Sequence, residues 1–388
     1  MRASHPISNH WLLVDGATAF GGHEVMLMRF VEELARQGRV LPHVLAREGT
    51  RLRTRSAQFA TPMSLTRIST HGRPSILDAL RDGYVFMRAA INVRPSLCVV
   101  AEGCLLAQPL FTAVARLMGV RVVVYTPLVD SGATMGFRRG KLRDWIVCHG
   151  YANLPHAWIT ITQQQAGAFA AWAAVKKPVF TLPNTVDRAI EQLAVSHQSS
   201  RAAQEEAGVV RVLVLGRLDA HQKGLDLLLD FLECATALAG RVRVTLAGEG
   251  DFRGEVERRT LLSPLLSRLL RAQAWSDPLA TLMQHDVLLL PSRFEGVPLV
   301  MLEAMALGVP VVASDLPGTR TYLGADTLFP IADLSRAFDI VLSMQDSARR
   351  RAVVQRNREA FDAGASGRAF STSVTALTEQ LLHIGESI

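Results

Sequence analysis

The stretch DVLLLPSRFEGVPLVMLEAMALGVPVVASD, residues 286 to 315, decides the fold. Its four apolar residues Val287 to Leu290 end at a proline, and a run this short is typical of a strand buried on both faces. Pro298 suits the first position of a helix, and Gly308 suits the position just after its last turn. Residues 309 to 313 form the next predicted strand. The pattern therefore predicts a βαβ unit with parallel strands.

Two glutamates lie near the edge of this unit where parallel sheets bind ligands, Glu295 in the loop and Glu303 within the helix. The helix start offers unpaired N–H groups and partial positive charge, which suit a phosphate. We therefore expect Glu295 to accept hydroxyls of a sugar on one side of the phosphate and Glu303 to accept ribose hydroxyls on the other. The alternative is that Glu295 is a loop charge and Glu303 a solvated helix residue. The first interpretation predicts a sugar nucleotide as ligand.

From Pro291 to Asp315 the chain resembles the signature of glycosyltransferase family 4, P-S-x-x-E-G-x-P-L-x-x-x-E-A-x-A-x-G-x-P-V-V-A-S-D, of the glycosyltransferase group 1 type. The resemblance extends more weakly over nearly the whole chain. It implies an α/β protein of the GT-B fold, with two Rossmann-like domains facing each other across a cleft. It also implies retaining transfer of a hexose-type sugar from a UDP- or GDP-sugar donor. Its diphosphate would contact Gly296, Val297, Pro298 and Leu299.

Length and composition agree with two globular domains. The chain has 388 residues, 49% of them hydrophobic and 20% charged. The four cysteines form no C-x-x-C pair and no zinc-like spacing with histidine, which favours a reduced, cytoplasmic setting. The apolar run near the start is too short for a signal peptide, and no run is long enough for a membrane span. We therefore expect a cytoplasmic protein that is peripheral at the inner face of the membrane.

Positive charge is concentrated in the first half of the chain. Residues 1 to 190 carry 22 Lys and Arg against 11 Asp and Glu, whereas residues 191 to 388 carry 20 against 24. Nucleic acid is disfavoured as a partner, because the basic residues are scattered and no nucleic-acid-binding module is evident. An anionic membrane surface or a glycolipid acceptor fits better. Arg51, Arg53 and Arg55 are in a predicted loop, residues 49 to 74, and either contact such a partner or are simply solvated.

The first domain opens as a doubly wound fold does, with a strand at His10 to Asp15 and a helix from His23 to Gln37 after a glycine-rich turn. The turn lacks G-x-G-x-x-G spacing, so a dinucleotide site is disfavoured. GGHE at 21 to 24 resembles the family's G-G-x-E, which implies that Gly21 and Gly22 lie against the donor diphosphate; a plain helix start is the alternative. Further strands are predicted at residues 41–46, 97–101, 120–125, 157–161 and 179–182.

The acceptor side departs from the family pattern. Where relatives often carry histidines after the strands that end near residues 101 and 125, this chain has Ala-Glu-Gly and Tyr-Thr-Pro. Glu102, Tyr125 and Asp130 are acceptor-side candidates only because they are polar and lie at or near strand ends, and structural roles are the alternative. The family's acceptor residues therefore cannot be transferred to this chain.

LPNTVD at 182 to 187 resembles the family's P-N-G-V-D, with Thr185 in place of glycine, and ends the predicted N-terminal, acceptor-binding domain, residues 1–187. The polar segment that follows has linker composition, so a linker is predicted over 188–208. The nucleotide-sugar-binding domain then covers 209–370, and the family pattern implies that residues 371–388 form a helix that crosses back to the first domain.

Two cationic residues follow the first strand of the second domain, and G-R-L followed by K-G resembles the family's phosphate-binding pair. A departing diphosphate needs fixed cations, which Arg217 and Lys223 supply. No D-x-D metal motif is present, and GEGD at 248–251 is predicted to be a turn, so neither a metal nor another cofactor is expected. AWSDP at 274–278 matches the nucleobase site of relatives, with Ala274 and Trp275 as candidates; Trp275 either stacks on the base or fills the core.

The sequence thus predicts a retaining, metal-independent hexosyltransferase of surface polysaccharide or lipopolysaccharide biosynthesis. Arg217 and Lys223 are its predicted catalytic cations, and Glu295 positions the sugar in the same site. Two alternatives stay open. One is a non-catalytic subunit that binds a sugar nucleotide, and the other is an epimerase or phosphorylase on the same fold.

Overall fold

Two parallel β-sheets organise the chain. The computed structural model describes residues 9–17, 21–48, 50–65, 76–197, 208–274 and 277–384. The chain divides into two compact units, Met1–Pro183 with Ser371–Ile388, and Asn184–Phe370. Each unit contains one sheet, and every strand pairing in both sheets is parallel. The predicted α/β class with two Rossmann-like domains is therefore confirmed.

In the described residues of the first unit the sheet has seven strands, in the order β3-β2-β1-β4-β5-β6-β7. The order reverses direction beside β1, which is the topological switch point where such sheets bind ligands. The strands are β1 (His10–Asp15), β2 (Leu41–Arg47), β3 (Thr61–Leu65), β4 (Leu97–Ala101), β5 (Val122–Tyr125), β6 (Ala157–Thr160) and β7 (Val179–Thr181).

Helices cover both faces of this sheet. Four helices share one core with one face of the strands, as the buried Phe86, Phe111, Val147 and Phe169 indicate. The helices of this part of the chain are α1 (Gly22–Gln37), α2 (Arg51–Ser56), α3 (Ile76–Val93), α4 (Pro109–Leu117), α5 (Gly140–His149) and α6 (Gln163–Trp172), with a 3-10 turn at Tyr151–Asn153.

The described part of the second unit has a sheet of six strands, in the order β10-β9-β8-β11-β12-β13. These are β8 (Val210–Leu215), β9 (Val242–Ala247), β10 (Leu270–Gln273), β11 (Val287–Leu290), β12 (Val311–Ser314) and β13 (Leu328–Phe329). The inner pair β8 and β11 is entirely or almost entirely buried, which explains why β11 is a continuous apolar run and why β8 is apolar except for Arg211.

Ten helices begin in the described residues of the second unit before the C-terminal helix. They are α7 (Arg188–His197), α8 (Ala220–Lys223), α9 (Leu225–Leu232), α10 (Arg253–Leu262), α11 (Pro264–Leu269), α12 (Pro278–Met283), α13 (Leu299–Ala306), α14 (Pro317–Arg320), α15 (Leu334–Ser343) and α16 (Ser347–Gly364), with 3-10 turns at Thr236–Leu238 and Ala325–Thr327.

The last helix, α17 (Gly367–Leu382), starts in the second unit and continues into the first. Within the first unit, Ser371 donates a hydrogen bond from its Oγ to Glu33 Oε1 at 2.6 Å and accepts one from Arg36 Nη2 at 2.8 Å. Arg39 forms an ion pair with Glu379 at 2.6 Å. These contacts fasten the C-terminal segment to α1.

The predicted βαβ unit is present. Its first strand has the predicted bounds, and Gly308 has the positive φ of +70° that ends the helix as expected. Pro298 differs from the prediction because its ψ of 126° is extended, so it caps α13 and Leu299 is the first helical residue. A proline without an N–H suits either position, which is why the sequence does not separate them.

Three segments differ from the predictions. The predicted loop at 49–74 contains α2 and β3, since Leu52 is buried and Thr50 Oγ1 accepts a hydrogen bond from Arg53 N; residues 49 and 66–74 lie outside the described residues. The predicted linker begins with α7, whose Ile190 is buried, and residues 198–207 are not described. The sequence pattern of residues 225–238 predicts one helix, but this helix ends at Leu232 and is followed by the 3-10 turn. In the first two segments, tertiary burial decides where local composition is ambiguous.

Candidate functional site

Glycines hold the loops at the carboxyl edge of the second sheet in direct backbone contact. A Cβ on Gly318 would lie 1.5 Å from Gly296 O, and a Cβ on Gly248 would lie 1.8 Å from Gly216 O. No side chain fits at either distance, so only glycine lets the loops after β8, β9, β11 and β12 pack this closely. The result is a rigid rim at the edge where parallel sheets bind ligands.

A pocket opens in this rim between the loops that follow β8 and β11. Its lining includes Gly216, Arg217, Lys223, Pro291 and Ser292. Both predicted phosphate-binding cations therefore line one pocket. Gly224 has a φ of +64°, and a Cβ there would lie 2.1 Å from Pro291 O, so glycine at this position brings α8 and its Lys223 close to the loop.

Lys223 and Glu295 form an ion pair between the ammonium group and carboxylate oxygen Oε1. Their side chains are only 19% and 11% exposed. Ser292 donates a hydrogen bond from Oγ to the same oxygen at 3.0 Å. The structure thus brings together a cation predicted to hold phosphate and the carboxylate predicted to hold sugar.

Arg217 is exposed, and its guanidinium donates to the neutral Oε1 of Gln222 at 3.1 Å. Because this partner carries no charge, the contact orients the guanidinium without neutralising it. Arg217 and Lys223 together place two positive charges at the pocket, which suits a diphosphate.

Arg293 was not among the predicted site residues. It forms two hydrogen bonds with the Asp226 carboxylate, at 2.7 and 2.8 Å, and donates to the carbonyl of His221 at 3.0 Å. Its backbone N–H also donates to Gln222 O at 2.9 Å. The bidentate pair therefore ties the loop that carries Glu295 to the segment that carries Lys223. The only sequence signal for it was a basic residue within the signature loop.

The remaining predicted donor residues lie at the same edge. Gly296, Val297 and Pro298 are buried just before α13, and the first N–H groups of that helix have no partner within it. Asn184 donates from Nδ2 to Val297 O at 2.8 Å, which holds this turn in place. Leu299 is the first residue of α13, and Glu303 lies one turn further on and is partly exposed.

The two predicted nucleobase residues follow β10, which ends at Gln273 on the same edge. Ala274 is exposed. Trp275 lies outside the described residues. Whether it stacks on a base or fills the core therefore stays open, and its place at the nucleobase stays a prediction.

The carboxyl edge of the first sheet carries a polar cluster around Asp15. Gln108 donates from Nε2 to Asp15 Oδ1 at 2.9 Å, and its own Oε1 accepts from Gly16 N at 2.6 Å. His23 Nε2 lies 3.3 Å from Asp15 Oδ2. Burial would raise the pKa of the Asp15 carboxyl, but its hydrogen bond to His23 and the His23 charge hold that pKa below its usual value. Sequence reasoning missed this cluster, although Asp15 ends a buried strand.

Gly21 and Gly22 lie at the start of α1 beside this cluster. Gly21 is the N-cap residue, and its N–H donates to Glu24 Oε2 at 3.0 Å. A Cβ on Gly21 would lie 3.5 Å from His23 Nδ1, an ordinary contact, so the glycine is not required by packing here. The structure places both glycines in the first unit, and their predicted role at the donor diphosphate stays a prediction.

The acceptor-side candidates differ in exposure. Glu102 is fully buried; its Oε1 accepts hydrogen bonds from the Tyr151 hydroxyl and from Gln108 N at 3.1 Å. Burial raises the pKa of this carboxyl to about 7, even though those hydrogen bonds lower it. Tyr125 is also buried, and burial raises its pKa, whereas Asp130 is partly exposed with a pKa that burial also raises. Of the three, Asp130 is therefore the one open to a ligand.

The described residues were compared with what a metal site and a membrane-spanning helix require. In the described part of the chain, no group of three or more His, Cys, Asp or Glu side chains is placed to hold a metal ion. Among the described helices, none is both long and apolar enough to cross a bilayer.

Comparison with known proteins finds a family model that matches part of the second unit. Residues 210–343 match the family model described as "Glycosyl transferases group 1". The chain is 31% identical over 205 residues to a phosphatidyl-myo-inositol mannosyltransferase of Mycobacterium leprae, covering 50% of this chain and 52% of that protein. It is 29% identical over 143 residues to the putative glycosyltransferase EpsF of Bacillus subtilis, covering 36% of this chain and 37% of that protein. The matched segments thus span about half the length of the mannosyltransferase and less than two fifths of the length of EpsF.

Solved structures resemble the whole fold. A sucrose-phosphate synthase from Thermosynechococcus elongatus superposes with a TM-score of 0.75 at 18% identity, covering 96% of this chain and 99% of that one. Anabaena Alr3699/HepE, solved in complex with UDP and glucose, has a TM-score of 0.73 at 17% identity with the same coverage. At these identities the likeness concerns the fold alone. This protein therefore has the GT-B fold of two Rossmann-like units, and its residues 210–343 match the model of the glycosyl transferases group 1.

Proposed function

We propose that this protein is a retaining family 4 glycosyltransferase that moves a hexose-type sugar from a UDP- or GDP-sugar to a glycan or glycolipid acceptor. The reaction would serve the synthesis of a surface polysaccharide or lipopolysaccharide. The observation that carries the proposal is that Arg217 and Lys223 line one pocket on the carboxyl edge of the second sheet and that Glu295 forms an ion pair with Lys223. A sugar diphosphate needs cations for its phosphates and an acceptor for its sugar hydroxyls, and these side chains supply both.

Each residue has a role in this proposal. Arg217 and Lys223 stabilise the charge that builds up on the diphosphate as the sugar leaves, and the amides around Gly296 to Leu299 add hydrogen bonds. Glu295 holds the sugar, and Glu303 holds the ribose. The acceptor hydroxyl attacks the face from which the diphosphate departs, so the anomeric configuration is kept. No metal is required, because the two side-chain cations take the place of a metal ion.

The ion pair between Lys223 and Glu295 bears on donor binding. Both groups are largely buried, and the pair keeps two charges compensated at the rim of the pocket. When a donor binds, its phosphate replaces Glu295 as the partner of Lys223, and Glu295 is released toward the sugar hydroxyls. One residue pair thereby couples phosphate binding to sugar recognition.

The names of relatives and of solved structures support particular donors and acceptors for this chain. Anabaena Alr3699/HepE is described in complex with UDP-glucose, which supports a UDP-sugar as the donor of this chain. The matched mannosyltransferase acts on a phosphatidyl-myo-inositol, and an O-antigen biosynthesis glycosyltransferase WclY of Escherichia coli is 31% identical over 100 residues. These names support a lipid-linked or polysaccharide acceptor, and with it a place at the inner face of the membrane.

The test is to incubate purified protein with single UDP- and GDP-sugars and membrane extract, and to identify products by mass spectrometry. Transfer of the sugar, with the donor's anomeric configuration kept in the product by NMR, supports the proposal. Isomerised sugar nucleotide would indicate an epimerase, phosphate-dependent cleavage would indicate a phosphorylase, and tight binding without turnover would indicate a non-catalytic subunit. An inverted product would contradict the retaining mechanism.

A further inference from the structure

A helix of the first unit exposes a large apolar surface beside positive charges. In and just before α5, Phe137, Leu142, Trp145 and Ile146 are 39%, 51%, 58% and 41% exposed. Leu142, Trp145 and Ile146 are spaced i, i+3 and i+4, so they lie on one face of the helix. An exposed apolar patch of this kind, rimmed by polar residues, marks an interaction surface. We call it the docking patch, comprising Phe137, Arg138, Arg139, Lys141, Leu142, Trp145 and Ile146.

The exposed charges of the patch are all positive. Arg138, Arg139 and Lys141 are exposed, and the nearest acidic residue of the segment, Asp144, is engaged elsewhere. Its carboxylate accepts hydrogen bonds from the backbone N–H groups of Gly132 at 2.6 Å and Ala133 at 3.2 Å. The patch therefore offers apolar side chains and three cations to the same partner.

This combination fits an anionic lipid surface. An interfacial helix buries its apolar face at the boundary of the acyl chains, while neighbouring Lys and Arg meet anionic headgroups. Tryptophan is enriched at that boundary because its ring is apolar and its N–H is polar. A second copy of the chain fits less well, because a two-fold interface would bring the three cations of one patch against those of the other.

The patch is joined to the edge of the sheet where the acceptor is expected. Arg143, next to Leu142, donates from Nη2 to the carbonyl of Leu105 at 2.7 Å, and Leu105 lies in the loop after β4 between Glu102 and Gln108. Gly140, the first residue of α5, packs so tightly that a Cβ there would lie 2.5 Å from Ala133 N. The helix start is thus fixed at the carboxyl edge of the first sheet.

We propose that the docking patch binds the anionic surface of a membrane and holds this edge of the first unit at the bilayer. The acceptor class that follows is a lipid-linked one, and this last step rests on the proposed glycosyl transfer. The surface differs from the one predicted at Arg51, Arg53 and Arg55, which the structure places in α2.

The experiment is sedimentation of the full-length protein with phosphatidylcholine vesicles, with or without phosphatidylglycerol. Wild-type protein is expected to pellet only with the anionic vesicles and to be released by high salt. Changing Arg138, Arg139 and Lys141 together to Gln should weaken binding about a hundredfold, since each cation near an anionic surface contributes about 1 kcal/mol. Leu142→Ser combined with Trp145→Ser should weaken it at least as much.

The matched control changes two other exposed leucines. Leu261 and Leu262 on α10 of the second unit are 86% and 70% exposed, and changing both to Ser should leave vesicle binding unchanged. Trp145 adds a direct signal, because its fluorescence should shift to the blue with anionic vesicles and the shift should be lost in Trp145→Phe. Circular dichroism and thermal unfolding check that each variant is folded.

Three outcomes would overturn the proposal. One is wild-type protein that binds neither kind of vesicle, and another is equal binding by the docking-patch variants. The third is loss of binding only when Leu80 and Tyr84, exposed on α3, are changed to Ser, since that would place the membrane surface on another helix. Sugar transfer to a detergent-solubilised acceptor is measured in parallel. Its absence would count against the proposed function and leave the vesicle result standing.

Discussion

The ammonium group of Lys223 pairs with the carboxylate of Glu295, 72 positions further along the chain. The pair is held from both sides, because Ser292 donates to Glu295 and Arg293 binds Asp226 close to Lys223. Two groups predicted for different parts of one ligand therefore lie in direct contact with each other.

Removing either cation should impair catalysis. Lys223→Ala and Arg217→Ala should each lower kcat/KM by about a hundredfold, since each removes a charge that in the proposed mechanism stabilises the departing diphosphate. Steady-state kinetics with the best donor measures this. Arg241→Ala, an exposed arginine just before β9, is the matched control and should keep wild-type activity. Near-normal kinetics in both cation variants would show that the diphosphate binds elsewhere.

Glu303 should act on nucleotide affinity. Glu303→Ala should weaken binding of the nucleoside diphosphate about tenfold or more, because it removes the charge-assisted hydrogen bond proposed to hold the ribose. Isothermal titration calorimetry measures the Kd directly. Glu303→Gln keeps one hydrogen-bond acceptor and should lose less affinity than Glu303→Ala. Unchanged affinity in both variants would remove Glu303 from the site.

The rim should not tolerate a side chain at Gly318. Because a Cβ would lie 1.5 Å from Gly296 O, Gly318→Ala must displace the loop before α13. We expect a loss of about 1 to 3 kcal/mol in stability, typical of overpacking, together with weaker donor binding. Gly254→Ala is the control, since nothing lies within 4 Å of a Cβ there. Thermal unfolding with and without nucleotide compares the two. If the two variants had the same unfolding temperature, with and without nucleotide, the loops would be able to separate at little cost in free energy.

Glu102 should make stability depend on pH. Its pKa is about 7 in the folded protein, whereas an unfolded glutamate has a pKa of about 4.3. Between these values the folded state holds more protons, so this carboxyl should lose roughly 4 kcal/mol of stabilisation as the pH rises through that window. Glu102→Gln removes the titration and keeps the acceptor for Tyr151. Urea unfolding of both proteins at pH 5 and pH 8 is the measurement. From pH 5 to pH 8 the wild type should lose stability relative to Glu102→Gln. A stability difference that stays the same at both pH values would argue against a raised pKa.

Turnover should not need a divalent cation. The proposed mechanism places Arg217 and Lys223 where a metal ion would otherwise balance the diphosphate. Activity should therefore survive exhaustive treatment with EDTA. Loss of activity in EDTA, with recovery on adding Mg²⁺ or Mn²⁺, would disprove this part of the proposal.

The sequence by itself determined the elements whose signals are local. The strand at Val287–Leu290, the helix after it and the strand at His10–Asp15 follow from apolar periodicity. The helix ends at Gly38 and Gly308 follow from the need for a residue that adopts a positive φ. The long match from Pro291 to Asp315 added the resemblance to glycosyltransferase family 4, because it spans a complete βαβ unit with its loop.

Tertiary structure alone decided which side chains meet and which are buried. The pairing of Lys223 with Glu295 and the clamp between Arg293 and Asp226 join residues about 70 positions apart, and no local pattern encodes such contacts. Glu102 is polar at a strand end, as many ligand-binding residues are, yet the packing of Tyr151 and Gln108 encloses it completely. Apolar periodicity indicates which face of one helix or strand is buried, whereas the burial and charge pairing of a single side chain depend on every element packed against it.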